Sequence, residues 1–238
     1  MLHRALLALV LLSFLSSPAL AGFKEGKEAY DRKKWVAAIT ELRPLAEAGD
    51  DRAMILLGNM YSEGFGVIRS YKEAMSLYRR AAVEKNNPEA MLAVAGLYTS
   101  GLGVPVNIHA AKQWFGRAAL LGDQQGAFFY ATILFQGNKG PSGDVTPDTY
   151  NSYKWFRIAA AGAQYPKIAE AAKLIAGQIA EKKLKPEEAA RAESEAAAWK
   201  PSAPDALGPV PEEPTVRADA PPPESPDKSP LPPAPSPK

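Results

Sequence analysis

His109 is the one histidine beyond the third residue of this 238-residue chain, and there is no cysteine. A lone imidazole makes neither a catalytic triad nor a metal site, because both need partner groups. It stands near the start of an expected helix and reads as a surface or capping residue. Without thiols, thiolate ligation, thiol catalysis and disulfide staples are all excluded. Glu187-Glu188 and Asp50-Asp51 set carboxylates side by side as acid–base chemistry might require. Adjacent helical positions point in different directions, however, so these pairs read as solvated helix starts. Gly64-Phe65-Gly66 and Gly101-Leu102-Gly103 look like the opening of a phosphate loop. No strand precedes them and no Lys-Ser/Thr or third glycine follows, so they read as turns. Arg79-Arg80 makes a small basic patch, read as a solvated face. Tyr61, Tyr78, Tyr98, Trp114, Phe115, Phe135, Trp155 and Phe156 could form a ligand cage, but their helical spacing assigns them to a core. No catalytic, cofactor-binding or metal-ligating residue is assigned, and the expectation is a protein that is not an enzyme.

The elements carrying these residues recur. Ala53, Tyr61, Gly64, Gly66 and Ala81-Ala82 are followed after 37 residues by Ala90, Tyr98, Gly101, Gly103 and Ala118-Ala119. A period of that size marks stacked helical hairpins. A third copy has Ala127, Phe135 and Gly140 in register. Its turn is lengthened by Pro141 to Pro147, so Trp155, Phe156, Ala159 and Ala160 fall 41 residues after their counterparts, as an insertion in a loop permits. Thr132 replaces the helix glycine found at Gly58. The repeats are expected at 51–86, 87–123 and 124–163. Residues 22–50 read as a related hairpin, with Pro44 expected to kink or end its second helix. Residues 164–199 read as two helices that cap the stack, the last opening at Pro186.

The two ends differ from this pattern. Residues 1–21 resemble a secretory signal: a basic start, an apolar run from Ala5 to Phe14, and Ala19-Leu20-Ala21 as a cleavage site. The run is too short to span a bilayer, which takes about 20 residues, and no later stretch is apolar enough. Removing it leaves 27 basic against 26 acidic residues, a near-neutral balance with no electrostatic case for nucleic acid. Beyond Lys200, 14 of 38 residues are proline and none is aromatic, so 200–238 is expected to be a disordered, extended tail.

The order Leu57-Gly58…Tyr61…Gly64-Phe65-Gly66-Val67…Tyr78…Ala81-Ala82, repeated through Tyr98, Gly101-Leu102-Gly103-Val104, Trp114-Phe115 and Ala118-Ala119, resembles the Sel1-like repeat, a relative of the tetratricopeptide repeat. The resemblance covers 51 to about 162, and 22–50 more loosely. It implies an all-α superhelical solenoid that serves as a scaffold or adaptor in a bacterial envelope. The expected location is the periplasm, with an extracellular one as the alternative. The expected partner is a protein, with proximity to peptidoglycan but no nucleic acid and no cofactor. Cysteine-rich exported relatives have been linked with β-lactam chemistry, which the absence of cysteine here does not carry over. In such solenoids the first helix of each unit lines the concave wall. Partner-binding candidates are therefore Arg52, Leu56, Asn59 and Glu63, then Glu89, then Tyr130 and Ile133, the last two as an exposed hot spot. Ordinary packing between repeats is the competing explanation of the same stripe. The alternative functions are an envelope enzyme, which would gather titratable residues with shifted pKa in one pocket, and a peptidoglycan or polysaccharide binder, which would expose its aromatics.

Overall fold

The computed structural model describes residues 18–138 and 143–212. Among the described residues ten α-helices follow one another: α1 (Pro18–Asp31), α2 (Trp35–Glu47), α3 (Asp51–Glu63), α4 (Tyr71–Glu84), α5 (Pro88–Ser100), α6 (Ile108–Leu120), α7 (Gln124–Gln136), α8 (Thr149–Ala161), α9 (Pro166–Lys183) and α10 (Pro186–Ala198). A short 3-10 turn follows at Pro204–Leu207. Helices pair as antiparallel hairpins, α1 with α2, α3 with α4, α5 with α6 and α7 with α8, and each hairpin packs on the next. Both α9 and α10 pack on α8. The expected signal falls largely outside the described residues, and the cleavage position after Ala21 lies within the first turns of α1.

Local sequence sets each helix start. Asp50, Ser70, Asn87, Asn107, Asp123 and Asp148 use a side-chain oxygen to accept a backbone N–H from the first turn of α3 to α8 respectively. Each such cap is worth on the order of 1 kcal/mol. Pro44 neither ends nor interrupts α2, which continues to Glu47. It stands in the last turn, where the helix is about to stop, and its carbonyl still accepts from the Ala48 N–H.

Glycines act where hairpins meet. At Gly66, φ is +71° and a Cβ would stand 2.5 Å from that of Trp35, the first residue of α2. At Gly103, φ is +72° and the same distance separates a Cβ from that of Tyr71, the first residue of α4. Only glycine allows both the backbone conformation and the approach. Because the contact repeats, residues 22–50 stack as a further hairpin. A parallel stack of Trp35 on Phe65, with centroids 4.5 Å apart, seals that seam. In the third unit the lengthened turn is tied by Asn138 and Val145, whose backbones exchange both hydrogen bonds. Gly140 lies outside the described residues.

The periodic aromatics lie where their spacing put them. Tyr78, Tyr98, Trp114, Phe115, Trp155 and Phe156 are buried, and Tyr61 and Phe135 are half-buried. One core cluster extends from Ala38 to Ala118 and a second from Ala119 to Ala192, so the hydrophobic interior runs lengthwise through the stack.

Candidate partner-binding surface

The 37-residue equivalence aligns Leu56, Ala93 and Tyr130 in one row along α3, α5 and α7, and Asn59, Gly96 and Ile133 in the next. The rows differ in what they offer. Leu56 and Ile133 are half-buried and pack on the first cluster. Tyr130 is also half-buried, touches both clusters and meets Trp155 edge-on at 5.5 Å. The expectation of an exposed Tyr130–Ile133 pair is therefore corrected: both side chains are half-buried against the first cluster, and Tyr130 also against Trp155 of its own hairpin. Burial also raises the Tyr130 phenol above its ordinary pKa.

The polar candidates are distributed differently. Arg52 is exposed, donates to Asp50 at 2.7 Å through Nη2, and lies 4.1 Å over the Phe23 ring. Burial opposes the charge on Asp50, but the bonds from Arg52 and from the Ala53 N–H outweigh it and hold its carboxyl below the usual range. Asn59 is half-buried and its Oδ1 accepts from the Tyr78 hydroxyl at 2.6 Å. Burial pushes that phenol up to about 12, so near neutral pH Tyr78 is a hydrogen-bond donor and not a base. Glu63 and Glu89 are exposed. At Gly96 a Cβ would meet nothing within 4 Å. The stripe thus has an open position at Gly96, with carboxylates exposed elsewhere along it.

A second feature went unseen in the sequence. After Trp199, which meets Trp155 edge-on, residues 200–212 turn back along the stack instead of leaving it. The Ser202 N–H donates to the Leu120 carbonyl at 2.7 Å. Arg117, only 2% exposed, donates to the carbonyls of Pro204, Gly208 and Pro209 at 2.9, 2.6 and 2.7 Å. Arg79 donates to the Pro211 carbonyl at 3.0 Å. Arg79 is accordingly no part of a solvated face, whereas Arg80 stays at the surface and pairs with Glu84 at 3.7 Å. The clue available in advance was positional: Arg117 falls 37 residues after Arg80, so a cation recurs beside the Ala-Ala seam. The expectation of disorder from residue 213 onward lies outside the described residues.

Titratable groups gather in one other place, where α10 crosses α8. Glu195 accepts from the Tyr150 hydroxyl, from Lys154 and from Arg191, at 2.8, 3.1 and 3.1 Å. These bonds, that from Tyr150 first, hold its carboxyl down to about 2. The Tyr153 hydroxyl donates to Glu193 at 2.7 Å. The arrangement clasps α10 onto α8; it holds its carboxylate ionised and its phenols protonated, so it offers no group poised for proton transfer near neutral pH. A cavity of about 290 Å³ beneath α10 contains Asp123, already spent on the α7 cap. His109 is exposed and contacts Gln113 at 3.0 Å. Glu188 accepts the Lys185 N–H at the start of α10, and Asp51 accepts from Asn87. Among the described residues no three His, Asp or Glu side chains converge as metal ligands, and no helix is long and apolar enough to cross a membrane.

With that geometry in place, comparison with known proteins is direct. The family model described as "Sel1 repeat" matches residues 51–82, 88–123 and 124–163. These are Sel1 repeats. The matched limits follow the expected units to within a few residues, and Sel1 repeats are generally protein-interaction scaffolds. The fold is similar to the crystal structure of a Sel1 repeat protein from Oxalobacter formigenes, at 22% identity and a TM-score of 0.58, covering 72% of this chain and 68% of that one. It is also similar to a protective antigen of uropathogenic Escherichia coli strains displaying an SLR fold, at 27% identity and a TM-score of 0.61. That match covers 75% of this chain but 38% of the antigen, so the present protein spans well under half of its length. No curated protein matches the chain.

Proposed function

We propose that this Sel1-repeat protein is an exported scaffold that holds a protein partner in the bacterial envelope, gripping it through the exposed positions of the first-helix wall. The observation that carries the proposal is the open position at Gly96 on the first-helix stripe that also holds exposed Glu63 and Glu89. A rigid stack of this kind presents an extended surface that loses little entropy on binding. Export rests on the signal-like residues 1–21, and the bacterial antigen among the similar structures is in keeping with it. Carboxylates exposed along the stripe favour a partner segment carrying Lys or Arg.

Among the described residues no group of poised side chains matches the enzyme alternative. The glycan-binding alternative needs exposed rings, whereas the periodic aromatics are buried or half-buried. The test is affinity capture from envelope extract with the wild-type chain and with Gly96→Arg plus Glu89→Arg. These changes fill the open position and reverse charge without touching the core. The proposal expects a protein retained by the wild type and lost from the variant; equal recovery by both rejects the wall. Leu56 and Tyr130 are unsuitable positions for this test, because changing them disturbs packing.

A further inference from the structure

We propose that the trench formed by Arg79, Trp114, Gly116, Arg117 and Tyr130 is a second binding site, one that takes a proline-bearing polypeptide folded through a single 3-10 turn, and that residues 201–212 occupy it as a resident ligand in the free chain. The trench is separate from the open position at Gly96 and does not depend on the envelope-scaffold reading.

Four observations converge. The first is how the resident segment is recognised. Arg117 gives all three of its hydrogen bonds among the described residues to main-chain carbonyls, and Arg79 donates to a fourth. Asp205 favours the Arg117 charge electrostatically, but burial outweighs it and lowers the guanidinium pKa. Recognition of backbone carbonyls reads a chain conformation, here one 3-10 turn followed by the bend at Gly208, more than a particular sequence. It suits proline, which has no N–H and whose fixed φ lowers the entropy lost on docking. The resident segment has Pro201, Pro204, Pro209 and Pro211. Gly208, at φ +83°, turns the chain so that its own carbonyl and the next both reach the same Nη2 atom.

The second observation is a place for side chains. A Cβ on Gly116 would stand 2.7 Å from Leu207 Cδ1 and 3.1 Å from the Tyr130 ring, so Leu207 drops into a notch that only a glycine leaves open. Val210 packs on the first cluster. N–H donors aimed at backbone carbonyls, together with an apolar notch, are the two components of peptide recognition.

Third, the resident segment fits incompletely. Trp114 Nε1 and Arg117 Nε are buried and have no hydrogen-bond acceptor among the described residues. A buried donor without a partner costs about 1–3 kcal/mol. An acceptor brought to either group by another ligand would recover that cost. Fourth, attachment makes the exchange controllable. Residues 201–212 follow α10 directly, and a short tether gives an effective concentration on the order of mM. A free peptide with intrinsic Kd near 100 μM would then bind the closed chain roughly tenfold more weakly than the opened one.

The experiment uses the full chain and a synthetic fluorescent peptide of residues 201–212, read by anisotropy. Leu207→Asp plus Val210→Asp in the chain unseats the strap without altering the trench. The opened chain should bind the peptide at least tenfold more tightly than the wild type. Adding Arg117→Met should abolish binding while helical circular dichroism is retained. In case that variant fails to fold, a peptide carrying the same two Asp substitutions is the second arm, and it should not bind the opened chain. Failure of the opened chain to bind the wild-type peptide overturns the proposal. So does equal binding by the closed and opened chains, or equal binding of both peptides. None of these readouts involves Gly96 or Glu89, so this site and the first-helix wall stand or fall separately.

Discussion

Three helix glycines separate close approach from mere conformational freedom, and alanine at each tests the packing account. Gly126 in α7 lies against α6: an alanine Cβ would stand 2.7 Å from Ala118 Cβ and 2.8 Å from the Ala119 backbone nitrogen. Backbone cannot swing aside, so α6 and α7 would have to separate. At Gly58 in α3 the obstacle is the Tyr78 ring, with Cε1 at 2.5 Å, and the ring is held by its bond to Asn59. At Gly96 in α5 there is no obstacle within 4 Å. Replacing a helix glycine by alanine gains about 1 kcal/mol of propensity in every case. Overpacking costs about 1–3 kcal/mol. The upper end applies where backbone must move, giving a net loss of about 2 kcal/mol for Gly126→Ala and about 1 kcal/mol for Gly58→Ala. Gly96→Ala should be more stable than wild type by about 0.5–1 kcal/mol. For a chain of this size 1 kcal/mol moves Tm by about 2–4 °C, so the extremes should differ by roughly 6–12 °C in melting followed by circular dichroism. Gly126→Ala melting at or above Gly96→Ala would refute the close-packed seams.

Other outcomes follow from the same geometry. Gln124, 4% exposed, donates through Nε2 to the Ala159 and Gly162 carbonyls and accepts the Tyr165 N–H through Oε1. Gln124→Ala leaves these groups unpaired beneath the cap and should cost about 1–3 kcal/mol in urea unfolding. Asp123→Ala removes the α7 cap and should cost about 1 kcal/mol by the same measurement. The depressed Glu195 carboxyl contributes stability that is fully present above its ordinary value of 4.5 and is lost as pH falls toward about 2. Trp199 fluorescence should therefore report loosening of α10 in that window, and Glu195→Gln should be loosened already at neutral pH and show little further change there.

The fold was legible because each repeat states its own geometry. Gly64, Gly66 and Tyr61 recur as Gly101, Gly103 and Tyr98, and a turn that needs positive φ together with a ring that needs burial leaves few arrangements. The start of α3 was legible too, since Asp50-Asp51 stands directly before an apolar-periodic segment. The candidate site was only partly legible. A helical stripe marks which residues share a face, but whether that face is open depends on the unit stacked above it. Hence Tyr130 and Ile133 read as a hot spot and turn out half-buried. The strap was invisible because its recognition runs through backbone carbonyls, which every residue has. The side chains that receive it, Arg79 and Arg117, look like ordinary helix-surface cations.

The most direct measurement of the central claim is site-specific photo-crosslinking in intact cells, with a photoreactive amino acid at Gly96 and, as a control, at Ile68, which is 92% exposed on the turn between α3 and α4. A scaffold acting through its first-helix wall gives a discrete crosslinked protein from position 96, absent from position 68 and lost when Glu89→Arg is added. No adduct at 96, or the same adduct from both positions, contradicts it.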